Sequence, residues 1–88
     1  MKSINLNIYG VVQNVGFRYY THKKARELGV TGFVKNMPDG SVYAEAEAEP
    51  AILETFISFC RQGPDWARVT DVKVQDAPLK NFTTFSIK

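Results

Sequence analysis

The chain has 88 residues, 44% of them hydrophobic and 23% charged, an ordinary balance for a globular protein with a core of modest thickness. Its 11 basic and 9 acidic residues are interspersed and leave a net charge of +2, which argues against a nucleic-acid or anionic-membrane surface but permits a small anionic ligand. The single cysteine excludes an internal disulfide, no apolar run approaches the ~20 residues of a bilayer span, and residues 1–10 lack the pattern of a secretion signal. The expectations are a single domain over residues 1–88 in a reduced, cytoplasmic setting, with no membrane and no nucleic acid as partner.

In "SINLNIYG", Ile4, Leu6 and Ile8 alternate with Asn5, Asn7 and Tyr9, the pattern of a strand with one buried face. A short loop leads into "FRYYTHKKARELG", where Phe17, Tyr20, Ala25 and Leu28 recur at helical spacing and Gly29 supplies a left-handed stop. "VTGFVKN" reads as a second strand and "MPDG" as a turn. In the third strand, "SVYAEAEA", Val42, Ala44, Ala46 and Ala48 take one face, and Tyr43, Glu45 and Glu47 take the other. Side chains as small as these on the inner face imply a helix packed close against it. Glu49 and Pro50 open a second helix with Ile52, Leu53, Phe56, Ile57, Phe59 and Cys60 on one apolar arc, ended by Gly63 and Pro64. Val72 and Val74 mark a fourth strand, and Phe85 and Ile87 a short terminal one. This order fits a split βαβ arrangement, an α+β ferredoxin-like sandwich with both helices on one face of a mixed sheet. Such a fold hosts many chemistries and names none.

The loop before the first helix, "VVQNVGFRYY", combines an Asn, a Gly and an Arg at a helix mouth. The first turn of a helix leaves backbone N–H groups without intrahelical partners, and with the helix dipole these make a natural anion site. Gly16 admits unusual dihedrals, and Asn14 is the non-glycine type most tolerant of left-handed backbone. Arg18 is unfavourably placed against the dipole by a few tenths to ~1 kcal/mol unless an anion lies between. One Gly and one Arg form a weak pattern, and spacing alone favours a tight strand-to-helix turn with a solvated Arg18.

"YGVVQNVGFRYYT" followed by "LGVTGFVKNMPDGSV" closely resembles the acylphosphatase family, and "PDWARV" and "FTTFSIK" are similar in kind and position. The family signature, a G-x-V-Q-G-V-x-F-R loop and a later G-[WFY]-x-x-N segment, matches here except that Asn14 stands where the family usually has Gly. The resemblance implies a small, monomeric enzyme that hydrolyses the carboxyl–phosphate anhydride of acyl phosphates, releasing inorganic phosphate, with no metal and no cofactor. By motif, Arg18 becomes the phosphate-binding arginine and Asn36 the residue that orients the attacking water. The backbone of Asn14, Val15, Gly16, Phe17 and Arg18 becomes the phosphate cradle. A left-handed Asn14 is expected to cost about 1 kcal/mol of strain without loss of the site. Strand parity adds a separate argument: Asn36 shares its face with Val34, which is expected to face the helices and the start of the first helix.

Other residues carry weaker expectations. His22, among Lys23, Lys24 and Arg26, reads as a solvated helix-face residue, and Cys60 as a small core residue. Glu45, Glu47 and Glu49 fit an exposed sheet face better than a metal site. Trp66 and Tyr43 read as packing or surface aromatics. The competing functions are a phosphate-binding module without turnover, an accessory domain of a larger chain, and an RNA-binding sheet stacking bases on Phe33 and Tyr43.

Overall fold

The computed structural model describes residues Met1–Lys88. Its elements follow the expected order: β1 (Lys2–Val11), α1 (Phe17–Leu28), β2 (Thr31–Asn36), β3 (Val42–Ala48), α2 (Pro50–Gln62), β4 (Arg68–Ala77) and β5 (Phe85–Ile87). The strands form one mixed sheet in the order β4-β1-β3-β2-β5, antiparallel except for the β2–β5 pair. Both helices lie on one face, the ferredoxin-like arrangement. Between sheet and helices runs one core of 17 buried residues, in which Leu6, Ile8, Phe17 and Phe56 are essentially inaccessible to solvent. Burying each such side chain contributes about 1.5–3 kcal/mol.

Alternation in β3 works as expected on the helix side, where Val42, Ala44 and Ala46 are fully buried and let the helices approach closely. Pairing of β2 with β3 depends on Gly32: a Cβ there would sit 1.9 Å from the Glu45 carbonyl oxygen. That pairing sets a register in which Ile8 of β1 and Asn36 of β2 both stand opposite Val42 of β3. Residues in one such row project to the same face. Ile8 and Val42 are buried under the helices, so Asn36 also lies on the helix side, as parity indicated.

The far face of the sheet departs from expectation. Glu45 and Glu47 are not exposed; they are 8% and 1% accessible. Residues 78–84 fold back over that face, where Glu47 accepts the Lys80 and Phe82 N–H groups and Glu45 accepts the Lys80 ammonium and the Tyr43 hydroxyl. Burial opposes ionisation of Glu45, but the Lys80 and Tyr43 hydrogen bonds and the nearby lysine charges outweigh it and hold its pKa below the ordinary 4.5. Glu49 is exposed at the start of α2 and pairs with the terminal ammonium at 3.6 Å.

Smaller differences follow from packing. Thr21 rather than Tyr20 is fully buried on α1, while the half-buried Tyr20 donates its hydroxyl to the Phe59 carbonyl at 3.1 Å. His22 is half-buried, its ring centroid 6.3 Å from that of Phe85. Cys60 lies in the core, where burial pushes its thiol up to about 12. Trp66 is a surface residue. No helix is long and apolar enough to cross a membrane.

Candidate active site

Where β1 ends and α1 begins, the backbone turns through two left-handed residues, Asn14 at φ 62° and Gly16 at φ 78°. Gly16 is the residue preceding the helix, and its carbonyl receives the first helical hydrogen bond, from Tyr20 N–H at 3.0 Å. None of the N–H groups from Gln13 to Tyr19 donates to a carbonyl or side chain of the protein. Left-handed residues interspersed in such a loop gather successive amides into a concavity suited to an anion. No acidic side chain in the first turn competes for them.

The loop is pinned from the side. Gln13 donates both side-chain N–H groups, to the carbonyls of Met37 at 2.8 Å and Ser41 at 2.9 Å. Those carbonyls flank the β2–β3 turn, which the Asp39 carboxylate braces by accepting the Ser41 N–H and hydroxyl. These bonds hold the Asp39 carboxyl below its ordinary range. Gln13 thereby fastens the loop next to the end of β2, where Asn36 sits.

An open cavity of about 200 Å³ lies between them, bordered by Val12, Asn14, Gly16, Phe17, Arg18, Tyr19, Asn36 and Ile87. The Oδ1 of Asn36 is buried and has no hydrogen-bond partner within the protein. An unsatisfied buried acceptor costs about 1–3 kcal/mol, so this atom departs from the usual pairing of buried polar groups. Arg18 donates one N–H, from Nη1 to the main-chain oxygen of Lys88 at 2.9 Å. The remaining donors of its planar fork have no partner within the protein. Exposed side chains of Tyr19 and Ile87 make the rim apolar on its solvent side.

Of the residues singled out in the sequence, Asn14, Gly16, Phe17, Arg18 and Asn36 meet at this cavity. Val15 does not border it; its side chain packs against the core. His22, Cys60 and the three glutamates are not among the bordering residues. No cluster of three or more His, Cys, Asp or Glu side chains forms anywhere in the fold. Val12, Tyr19 and Ile87 were not anticipated as bordering residues, nor Gln13 and the main-chain oxygen of Lys88 as anchors. The strand alternation of Ile87 and the double-donor amide of Gln13 are visible in the sequence, but their partners are not.

Phe33, a candidate for base stacking, is only 9% accessible. Its ring meets the Phe82 ring edge-on at 5.9 Å, and the Lys88 ammonium lies 4.1 Å from its centroid.

Comparison with known proteins bears on what this arrangement does. A sequence model of the acylphosphatase family matches residues 4–87. An acylphosphatase of Archaeoglobus fulgidus is 44% identical over 87 residues, covering 99% of this chain and 98% of that protein. The crystal structure of acylphosphatase from Bacillus subtilis superposes with a TM-score of 0.98 at 34% identity, covering 100% of this chain and 99% of that one. Full-length HypF, in a phosphate- and nucleotide-bound form, contains a similar region (TM-score 0.88, 27% identity) that covers 99% of this chain and 12% of that one.

Proposed function

The chain belongs to the acylphosphatase family, and from that premise we propose that Arg18 and the loop amides bind the phosphoryl group while Asn36 directs the attacking water. The protein is a hydrolase of acyl phosphates, the mixed anhydrides of a carboxylic acid and phosphoric acid.

Water oxygen bonds to phosphorus, and the bond from phosphorus to the acyl oxygen breaks. The products are a carboxylate and inorganic phosphate, and the water's surplus proton passes to a phosphate oxygen or to solvent. A carboxylate whose conjugate acid has a pKa near ~4 departs without a general acid. What remains for the protein is to hold charge on the equatorial oxygens and to fix the line of attack. In the proposed pose the guanidinium fork of Arg18 and the amides of residues 14–18 hold the phosphoryl oxygens. Oδ1 of Asn36 accepts an O–H of the water, and the acyl group extends over Tyr19 and Ile87 towards solvent.

The observation that supports this most strongly is the meeting at one cavity of loop residues whose amides are unpaired, of Arg18 with its anchored guanidinium and of Asn36, whose Oδ1 is unpartnered. The left-handed geometry of Asn14 favours an intact cradle over a degenerate one. We propose further that the chain acts as one domain, a cytoplasmic monomer. In support, Cys60 is buried beyond intermolecular pairing, and the edge strand β4 carries Arg68, Asp71, Lys73 and Asp76, charges that oppose edge-to-edge association. The covered Phe33 argues against nucleic acid as a partner.

Benzoyl phosphate hydrolysis by wild type, Arg18→Ala and Asn36→Ala, with inorganic phosphate as competitor, tests the assignment. Arg18→Ala is expected to raise KM and weaken phosphate inhibition. Asn36→Ala is expected to lose about 10²–10³-fold in kcat with phosphate inhibition retained. Wild-type phosphate inhibition in Arg18→Ala, or wild-type turnover in Asn36→Ala, would contradict the assigned roles.

A further inference from the structure

We infer that Glu47, on the opposite face of the sheet, is a positioning residue for Arg18. This rests on the reading of Arg18 as the phosphate ligand. Glu47 is the most buried charged side chain of the protein, at 1% accessibility. Its two carboxylate oxygens are spent on two backbone N–H groups of the β4–β5 connector, Oε2 on Lys80 at 2.6 Å and Oε1 on Phe82 at 3.1 Å. Between those donors Asn81 stands at φ 57°, one of two left-handed residues other than glycine. A left-handed residue turns the N–H groups on either side of it toward one point, so the connector is folded as an anion nest around this carboxylate. Lys80 adds a second tie, its ammonium 2.5 Å from Glu45.

The connector delivers β5. Immediately beyond the nest, the Thr84 carbonyl accepts the Gly32 N–H at 2.8 Å, and β5 runs for three residues parallel to β2. So short an edge strand, paired on one side only, has little stability of its own. It ends where Lys88 donates its N–H to the Val34 carbonyl at 2.9 Å and its main-chain oxygen accepts from Nη1 of Arg18 at 2.9 Å. That oxygen is the only hydrogen-bond partner of the Arg18 side chain within the protein. Ile87, one residue earlier, borders the cavity. Thus the order of a buried carboxylate sets the place of the connector, the connector sets β5, and β5 aims the guanidinium. In this scheme Glu47 touches no reacting atom; it acts through Arg18.

A guanidinium released from its anchor binds ground state and transition state less well by a similar factor, so the signature lies in KM rather than kcat. Glu47→Gln places an N–H against the nest's own donors. Asn81→Val, at an exposed position, disfavours the left-handed turn without touching the core. In both variants, at a temperature where circular dichroism shows the chain folded, KM for benzoyl phosphate and Ki for inorganic phosphate are expected to rise about fivefold or more. In both, kcat is expected to stay within about twofold. The {¹H}–¹⁵N NOE of Arg18 Nε should fall in both, reporting a freed side chain. Should Glu47→Gln not fold, Asn81→Val decides alone. If Arg18→Ala weakens phosphate inhibition but both variants keep wild-type KM, Ki and NOE, the inference is overturned while the reading of Arg18 stands. If Arg18→Ala inhibits like wild type, the reading fails and takes the inference with it.

Discussion

Gly16→Ala separates the two demands made on the loop, its conformation and its openness. Gly16 has φ 78° and ψ 17°, and a Cβ built on it meets no heavy atom within 4 Å. The substitution therefore carries no steric clash inside the protein, and its folding cost is that of left-handed backbone alone, about 1–2 kcal/mol. Alanine also stiffens the unfolded chain, which returns about 0.4–1 kcal/mol. The net loss is about 1 kcal/mol, a fall in Tm of about 4–8 °C for a domain of this size. The functional cost is expected to be larger, because Gly16 borders the cavity and a methyl there competes with the phosphoryl group for room. Blocking one preorganised donor is expected to lower kcat/KM for benzoyl phosphate by about 10²-fold and to weaken phosphate inhibition. A thermal melt and initial-rate kinetics on the same preparation measure both. Loss of stability on the expected scale, with kcat/KM and phosphate inhibition within twofold of wild type, would show that the loop is merely a turn. Unchanged stability would refute the argument that the left-handed conformation is required.

Two further outcomes follow from charge. Neither a guanidinium nor a carboxamide changes protonation near neutrality, and His22 does not border the cavity. The benzoyl phosphate rate is therefore expected to stay nearly flat between pH 5 and 7.5, within about twofold, and a steep bell centred near pH 6–7 would point to a titrating residue in the reaction. Glu45 has a folded-state pKa below its ordinary 4.5, so its contribution to stability is complete above that value and is lost as pH falls through the lowered one. Glu45→Gln should thus melt below wild type at pH 7, with the gap closing as pH drops below 4; a gap that persists unchanged at pH 3 would contradict this sign.

Much of the fold is visible in local pattern. Alternation in β1 and β3, the apolar arc of α2 and the stop after α1 each report on a few neighbouring residues, and such signals survive without knowledge of the partner. The side of the sheet on which Asn36 lies follows from parity with Val34, a relation two residues long. What the sequence did not disclose depends on distant chain. Glu45 and Glu47 alternate like an exposed face, and only the return of residues 78–84 over them makes them internal ligands of backbone amides. The anchor of Arg18 lies 70 residues away and is a main-chain oxygen, which side-chain chemistry cannot signal. The carbonyls held by Gln13 are equally anonymous, 24 and 28 residues downstream. Local rules therefore reach the groups that would do the chemistry, and tertiary contacts supply the groups that hold them still.

The central claim is that an oxyanion sits between the loop amides and the guanidinium of Arg18. Amide ¹H–¹⁵N spectra recorded while inorganic phosphate is added test it without turnover or mutation. Saturable shifts should be largest at the N–H groups from Asn14 to Tyr19, at Arg18 Nε and at the Asn36 side-chain amide. Shifts confined to some other surface, such as the connector around Lys80, with this loop unmoved at saturation, would contradict it.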